Sequence, residues 1–135
     1  MMWCFFLVCA GGFIGTGARY GLNGVVARRF GETFPVGTLV VNILGSFAIG
    51  LIFVATGSDS RLIVSPTARQ FLIAGILGGF TTFSSFSLQT LSLIRSGEAG
   101  AAFVNIALSV GVCLLAAWGG ESLAQKVWVL PWKHP

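Results

Sequence analysis

The sequence predicts an all-α membrane protein of four transmembrane helices, the third broken near its middle. Three observations predict this. Charged residues make up only 9% of the chain against 55% hydrophobic, and the mean hydropathy is +0.89; a soluble domain carries about 25% charged residues. Four stretches with at most one charge are long enough to cross a bilayer, which takes roughly 20 apolar residues. The third stretch, moreover, is interrupted by Gly75, Gly78 and Gly79, and seven of the twelve residues 81–92 carry hydroxyls. Anchoring in lipid alone does not call for such a composition.

The first stretch covers about 2–27 and holds Arg19. Its start lacks the basic region of a signal peptide, and its apolar character continues past Ala10, so it reads as a retained span. The second, 33–58, and the third, 70–94, are uncharged; the fourth is 99–120. The connections 28–32, 59–69 and 95–98 are short, which makes consecutive spans antiparallel neighbours in a single domain over 1–135. A tail at 125–135 with Trp128, Trp132 and Lys133 suits an interfacial anchor. Gly11 with Gly15, Gly17 with Gly21, Ser46 with Gly50 and Gly75 with Gly79 set small residues four apart, the spacing for close helix contact.

Orientation normally follows an excess of Lys and Arg on the cytoplasmic side. Here one side holds Arg61, Arg69, Lys126 and Lys133, and the other Arg28, Arg29 and Arg95. Four against three is no bias, so the chain is expected to insert both ways and to form an antiparallel, dual-topology homodimer in the bilayer. The net charge of +4 is scattered, whereas nucleic acid requires a clustered basic face. Cys4, Cys9 and Cys113 stand in apolar runs outside any metal or disulfide pattern and read as small buried apolar residues.

The acidic residues Glu32, Asp59, Glu98 and Glu121 all fall in expected loops or span ends. A proton-coupled transporter needs a titratable group at membrane depth, and no set of residues suits catalysis, so the chain reads as a route for passive permeation rather than an enzyme. Asn42 and Ser46 lie one turn apart in the second span, as do Asn105 and Ser109 in the fourth, with Cys113 continuing that row. Amide and hydroxyl donors can replace water around an anion; their other reading is interhelical hydrogen bonding. Arg19 either snorkels to the interface or lines an aqueous vestibule and concentrates anions. Phe80, Phe83 and Phe86 recur every three residues, which fits a packing stripe and equally allows positive ring edges to meet an anion. A glycine break lined by hydroxyls is what a wall beside a moving polar species requires, although small residues and hydroxyls also serve close packing.

The run Gly78-Gly-Phe-Thr-Thr-Phe-Ser-Ser-Phe-Ser87 resembles the signature of the CrcB/Fluc family of fluoride channels. Gly-Ala-Arg19-Tyr, Pro35-Val-Gly-Thr-Leu-Val-Val-Asn42 and the stretch Asn105 to Ser109 agree, so the likeness covers about 11–120. The resemblance implies a dual-topology antiparallel homodimer with two fluoride pathways, in a bacterial inner membrane. It further implies a structural sodium ion at the dimer centre, held by main-chain carbonyls at Gly78 and Thr81 of each copy. Phe83 and Phe86 match the aromatic pair whose edges face the ion. Asn42, Ser84 and Ser109 match pathway residues, Asn105 is a possible further one, and Arg19 matches the vestibule arginine. Gln89 departs from a frequent Glu, and Ser85 from a frequent Thr. The expected function is passive export of toxic cytoplasmic fluoride.

Two other classes fit the size. A small four-span proton-coupled exporter of the drug-export type predicts a carboxylate in the first span, which is missing. A non-conducting scaffold subunit predicts that Asn42, Phe83 and Phe86 can become aliphatic without loss.

Overall fold

The computed structural model describes residues 2–31, 33–58, 60 and 62–129. Glu32, Asp59 and Arg61 of the connections, and the anchor residues Trp132 and Lys133, lie outside these residues. The described chain is helical: α1 (Met2–Phe30), α2 (Val36–Ala55), α3 (Pro66–Gln70), a wide π-turn stretch (Phe71–Leu77), α4 (Gly78–Phe80), α5 (Phe83–Arg95) and α6 (Ala99–Trp128). Four units are long and apolar enough to span a membrane: Met2–Phe30, Val36–Ala55, Pro66–Arg95 and Ala99–Trp128.

Local chemistry sets the ends. Pro35 precedes α2, where a residue without an N–H gives up nothing. The Ser65 hydroxyl caps α3 by accepting from the Ala68 N–H at 3.2 Å, with Pro66 in the first turn. α5 closes on Gly97, whose φ of 80° favours glycine. There the Glu98 N–H returns to the Leu93 carbonyl at 2.9 Å and the Gly97 N–H to the Ile94 carbonyl at 3.1 Å, the Schellman pattern. The helix of the fourth span continues past 120 to Trp128. Thirty residues make about 45 Å of helix against roughly 30 Å of hydrocarbon, so the turns carrying Glu121, Gln125 and Lys126 extend beyond it. An isolated antiparallel bridge between Ser60 and Val129 joins the α2–α3 connection to that end of α6.

Two glycine interfaces hold the spans together. α1 lies on the third span: a Cβ on Gly15 would collide with the Ile76 carbonyl, and one on Gly79 would stand 2.6 Å from the Gly12 carbonyl. α2 lies on α6, where a Cβ on Gly50 would strike the Ala117 carbonyl and one on Gly120 the Phe47 carbonyl. Contact this close gains dispersion energy that larger residues would forfeit. Gly17 and Gly21, at the same spacing, meet nothing within 4 Å, so the first span has two small-residue faces and the chain uses one. Cys4, Cys9 and Cys113 are free thiols. Burial of all three, expected from the sequence, is not found: Cys4 and Cys113 are half-buried, and Cys9 is exposed on α1, on an outer surface that is apolar as lipid-facing helices require.

Candidate functional site

The third span breaks at two residues. Thr81 (φ −80°, ψ 157°) and Thr82 (φ −151°, ψ 113°) are extended between α4 and α5. In a continuous helix the Thr82 N–H would serve the Gly78 carbonyl and the Ser85 N–H the Thr81 carbonyl. Both donors are redirected. The Thr82 N–H goes to Asn42 Oδ1 at 2.8 Å, and the Ser85 N–H goes to Thr82 Oγ1 at 3.2 Å, capping α5. Asn42 Nδ2 donates in turn to the Thr82 carbonyl at 2.9 Å. The helix therefore restarts on a threonine N-cap clamped by an asparagine of α2, and the carbonyls of Gly78 and Thr81 lose their i+4 partners.

Gly45 makes room for this break, since a Cβ there would collide with the Thr81 methyl. Beside it lies an open cavity of about 430 Å³, bounded by α2, the third span and α6. Asn42, Gly45 and Ser46 line it from α2, Gly78, Thr81, Thr82, Phe83 and Phe86 from the third span, and Ser109 and Cys113 from α6. The Phe83 and Phe86 rings are tilted by 53° with centroids 5.2 Å apart. Phe86 is buried at 8% exposure, whereas Phe83 is 75% exposed. Ser109 is buried against the cavity and makes no hydrogen bond among the described residues, which leaves its hydroxyl available to a guest. No carboxylate lines the cavity, and no cluster of three or more His, Cys, Asp or Glu occurs among the described residues.

Six of the nine residues that the resemblance picks out thus meet at one cavity: Asn42, Gly78, Thr81, Phe83, Phe86 and Ser109. The other three lie elsewhere. Ser84 is exposed beside the break, its Oγ 3.2 Å from Thr82 Oγ1. Asn105 is 2% exposed, and its Nδ2 donates to Thr90 Oγ1 at 2.9 Å while that hydroxyl donates to the Phe86 carbonyl at 2.8 Å. It braces the turn carrying Phe86 rather than lining the cavity. Arg19 is half-buried on α1, a helix that contributes nothing to the cavity wall.

A second cavity of about 370 Å³ is lined by Asn23, Thr38 and Gln89 among others. Thr38 sits one turn before Asn42 on α2. Asn23 Oδ1 and Gln89 Oε1 are buried without a partner among the described residues. Asn23 and the capping Thr82 were not singled out from the sequence. A hydroxyl just before a restarting helix is a signal that could have found Thr82; Asn23 carries no such signal.

The family described as CrcB-like protein, Camphor Resistance (CrcB), matches residues 6–121. The chain is 50% identical to a fluoride-specific ion channel FluC of Opitutus terrae, over 87% of this chain and 89% of that one. It is 48% identical to the protein of the same name from Methylocella silvestris, over 89% and 92%. With the fluoride-specific ion channel FluC 4 of Brucella abortus biovar 1 the identity is 46%, over 93% of each chain.

Proposed function

Because the chain belongs to the CrcB family, we propose that it conducts fluoride passively along the cavity walled by Asn42, Phe83, Phe86 and Ser109. It is a multi-pass membrane protein, in bacteria of the inner membrane, and a fluoride channel rather than an enzyme. The observation that carries the assignment of the route is the convergence of these four residues, drawn from three spans, on one cavity at the broken span.

Fluoride holds its water tightly, so a route must return hydrogen-bond donors as water is shed. The Ser109 and Ser46 hydroxyls can donate along one side. The Asn42 amide holds Thr82 with one N–H and keeps a second. The Phe83 and Phe86 ring edges carry partial positive charge that an anion can approach. No acid faces this path, so outflow follows the electrochemical gradient without proton coupling.

Two antiparallel copies complete the proposal. The even Lys and Arg balance permits both insertions, and the exposure of Phe83 leaves a pathway wall that a single copy does not cover. The Gly78 and Thr81 carbonyls, deprived of their helical donors, suit a hard cation that takes oxygen ligands. One pair from each copy would hold a structural sodium ion. Bound there, it would supply a fixed positive charge fastening the two breaks together.

Fluoride efflux from liposomes, read with an electrode in the presence of a potassium ionophore, tests the assignment. Rapid fluoride release without chloride release is expected; silence toward fluoride would remove it. Purification with sodium replaced by a large organic cation is expected to lower flux and loosen the dimer. Indifference to sodium would remove the ion from the proposal while leaving the route intact.

A further inference from the structure

The α2–α3 connection holds a polar cavity that the ion route does not use. Arg69 of α3 projects into it, half-buried. Its Nε donates to Thr56 Oγ1 at 3.2 Å, and that hydroxyl donates to the Ile52 carbonyl at 2.7 Å. The guanidinium carbon stands 4.7 Å from the centroid of the Phe53 ring. The last turn of α2 therefore fixes both the edge and the plane of the guanidinium. Of its five N–H donors the Nε–H alone is engaged among the described residues, and no carboxylate pairs with it there. The cavity measures about 390 Å³, with Thr56, Ser58, Ser60 and Gln70 around the cation. Ser60 Oγ accepts from the Leu62 N–H at 3.1 Å and retains its own hydrogen to donate.

The rim has the opposite character. Leu62 is 42% exposed and Ile63 fully so, at 102%, in the connection between two membrane-spanning units. A held guanidinium, without an acidic partner among the described residues and with hydroxyls beside it, is suited to a phosphate, because its planar fork matches two phosphate oxygens at once. Uncovered Leu and Ile next to it suit acyl chains. A free phosphate ion would have no use for that apolar rim.

We propose that this cavity binds the headgroup phosphate of an anionic phospholipid, with Arg69 as the anion-binding group and Leu62 and Ile63 against the acyl chains. Native mass spectrometry of the purified full chain in neutral detergent, with phosphatidylglycerol or phosphatidylcholine added, counts the retained lipid. Phosphatidylglycerol is expected to be retained over phosphatidylcholine by about tenfold, the scale of a bidentate charged contact. Arg69→Gln abolishes the preference, and Arg69→Lys restores only part of it, because lysine lacks the fork.

Lys126, exposed in the last turn of α6 near the same end, is the control. Lys126→Gln lowers retention by no more than about fivefold, the effect of one basic residue near an anionic surface. Equal losses in Arg69→Gln and Lys126→Gln would overturn the site in favour of diffuse surface charge. Equal retention of the two lipids by the unmodified protein would also overturn it. So would displacement of lipid by millimolar inorganic phosphate that itself stays bound, since the site would then take free phosphate. If Arg69→Gln does not fold, Leu62→Ser with Ile63→Ser keeps the cation and removes the rim; unchanged phosphatidylglycerol retention there rules out a lipid.

Discussion

Asn42 holds both backbone polar groups of Thr82, accepting from its N–H at 2.8 Å and donating to its carbonyl at 2.9 Å. The first stands in for the helical bond to the Gly78 carbonyl lost where the third span opens, and the second ties the carbonyl at the start of α5 to α2. At membrane depth no solvent can replace them, and unsatisfied backbone groups there are expensive. One side chain of α2 thus fixes where α5 restarts, and with it the placement of Phe83, Ser84 and Phe86. Its position at the cavity and its grip on the break are two roles of one amide.

Asn42→Leu is therefore predicted to cost stability as well as flux. It leaves the Thr82 N–H unpaired, worth about 1–3 kcal/mol when buried, and strips the Thr82 carbonyl of its amide donor. Asn42→Asp keeps an acceptor for the Thr82 N–H but sets a negative oxygen against the Thr82 carbonyl, so it should also lose fluoride efflux. Thermal unfolding in detergent beside efflux from liposomes checks both. An Asn42→Leu protein as stable as the parent would show that the clamp is dispensable.

The two rings should respond differently. Phe86 is buried and Phe83 is mostly exposed in the chain. Phe86→Ala is predicted to destabilise the fold by about 3–5 kcal/mol, whereas Phe83→Ile should leave unfolding nearly unchanged. Both Phe83→Ile and Phe86→Ile are predicted to abolish fluoride efflux with the proposed dimer still assembled. Loss of assembly in either would return that ring to packing.

How much of this was legible in the sequence differs from residue to residue. The break could be read because three glycines and a cluster of hydroxyls interrupt an otherwise apolar run. Ser109 and Cys113, one turn apart, could be expected to share a wall. Asn105 continues the same row, yet the cavity stops at Ser109 and Asn105 turns to Thr90 of α5. Spacing places residues on one helix face but does not say what faces them. The clamp joins residues 40 positions apart, beyond the reach of local pattern. The wide turn over Phe71–Leu77 has an ordinary apolar composition, and nothing in its residues announces it.

Gly11–Gly15 and Gly17–Gly21 share a spacing, and the structure separates them. A Cβ on Gly15 would collide with the backbone of the third span, while one on Gly17 would enter open space. Gly15→Ala is predicted to destabilise the chain by several kcal/mol, since backbone cannot yield as a side chain does. Gly17→Ala should leave monomer stability within about 0.5 kcal/mol. Unfolding measurements on the two variants decide; equal effects would contradict the α1 packing described above.

The second cavity supports a sharper test. Asn23 Oδ1 and Gln89 Oε1 are buried without partners among the described residues, and a Cβ on Gly37 would come within 2.6 Å of Asn23 Oδ1, so the Asn23 amide is wedged against α2. Each unpaired buried acceptor costs about 1–3 kcal/mol unless water supplies the missing hydrogen, and a polar cavity of this size admits water. If its role is structural alone, Asn23→Leu should stabilise the protein and change nothing else. But Thr38 on its wall lies one turn from Asn42, so the same substitution would dry the stretch next to the proposed route. We predict that Asn23→Leu raises unfolding stability by about 1–3 kcal/mol and slows fluoride efflux several-fold, while Asn23→Gln retains most of the flux. A stabilised Asn23→Leu protein conducting at the parental rate would confine the cavity to packing and end the fluoride route at Asn42.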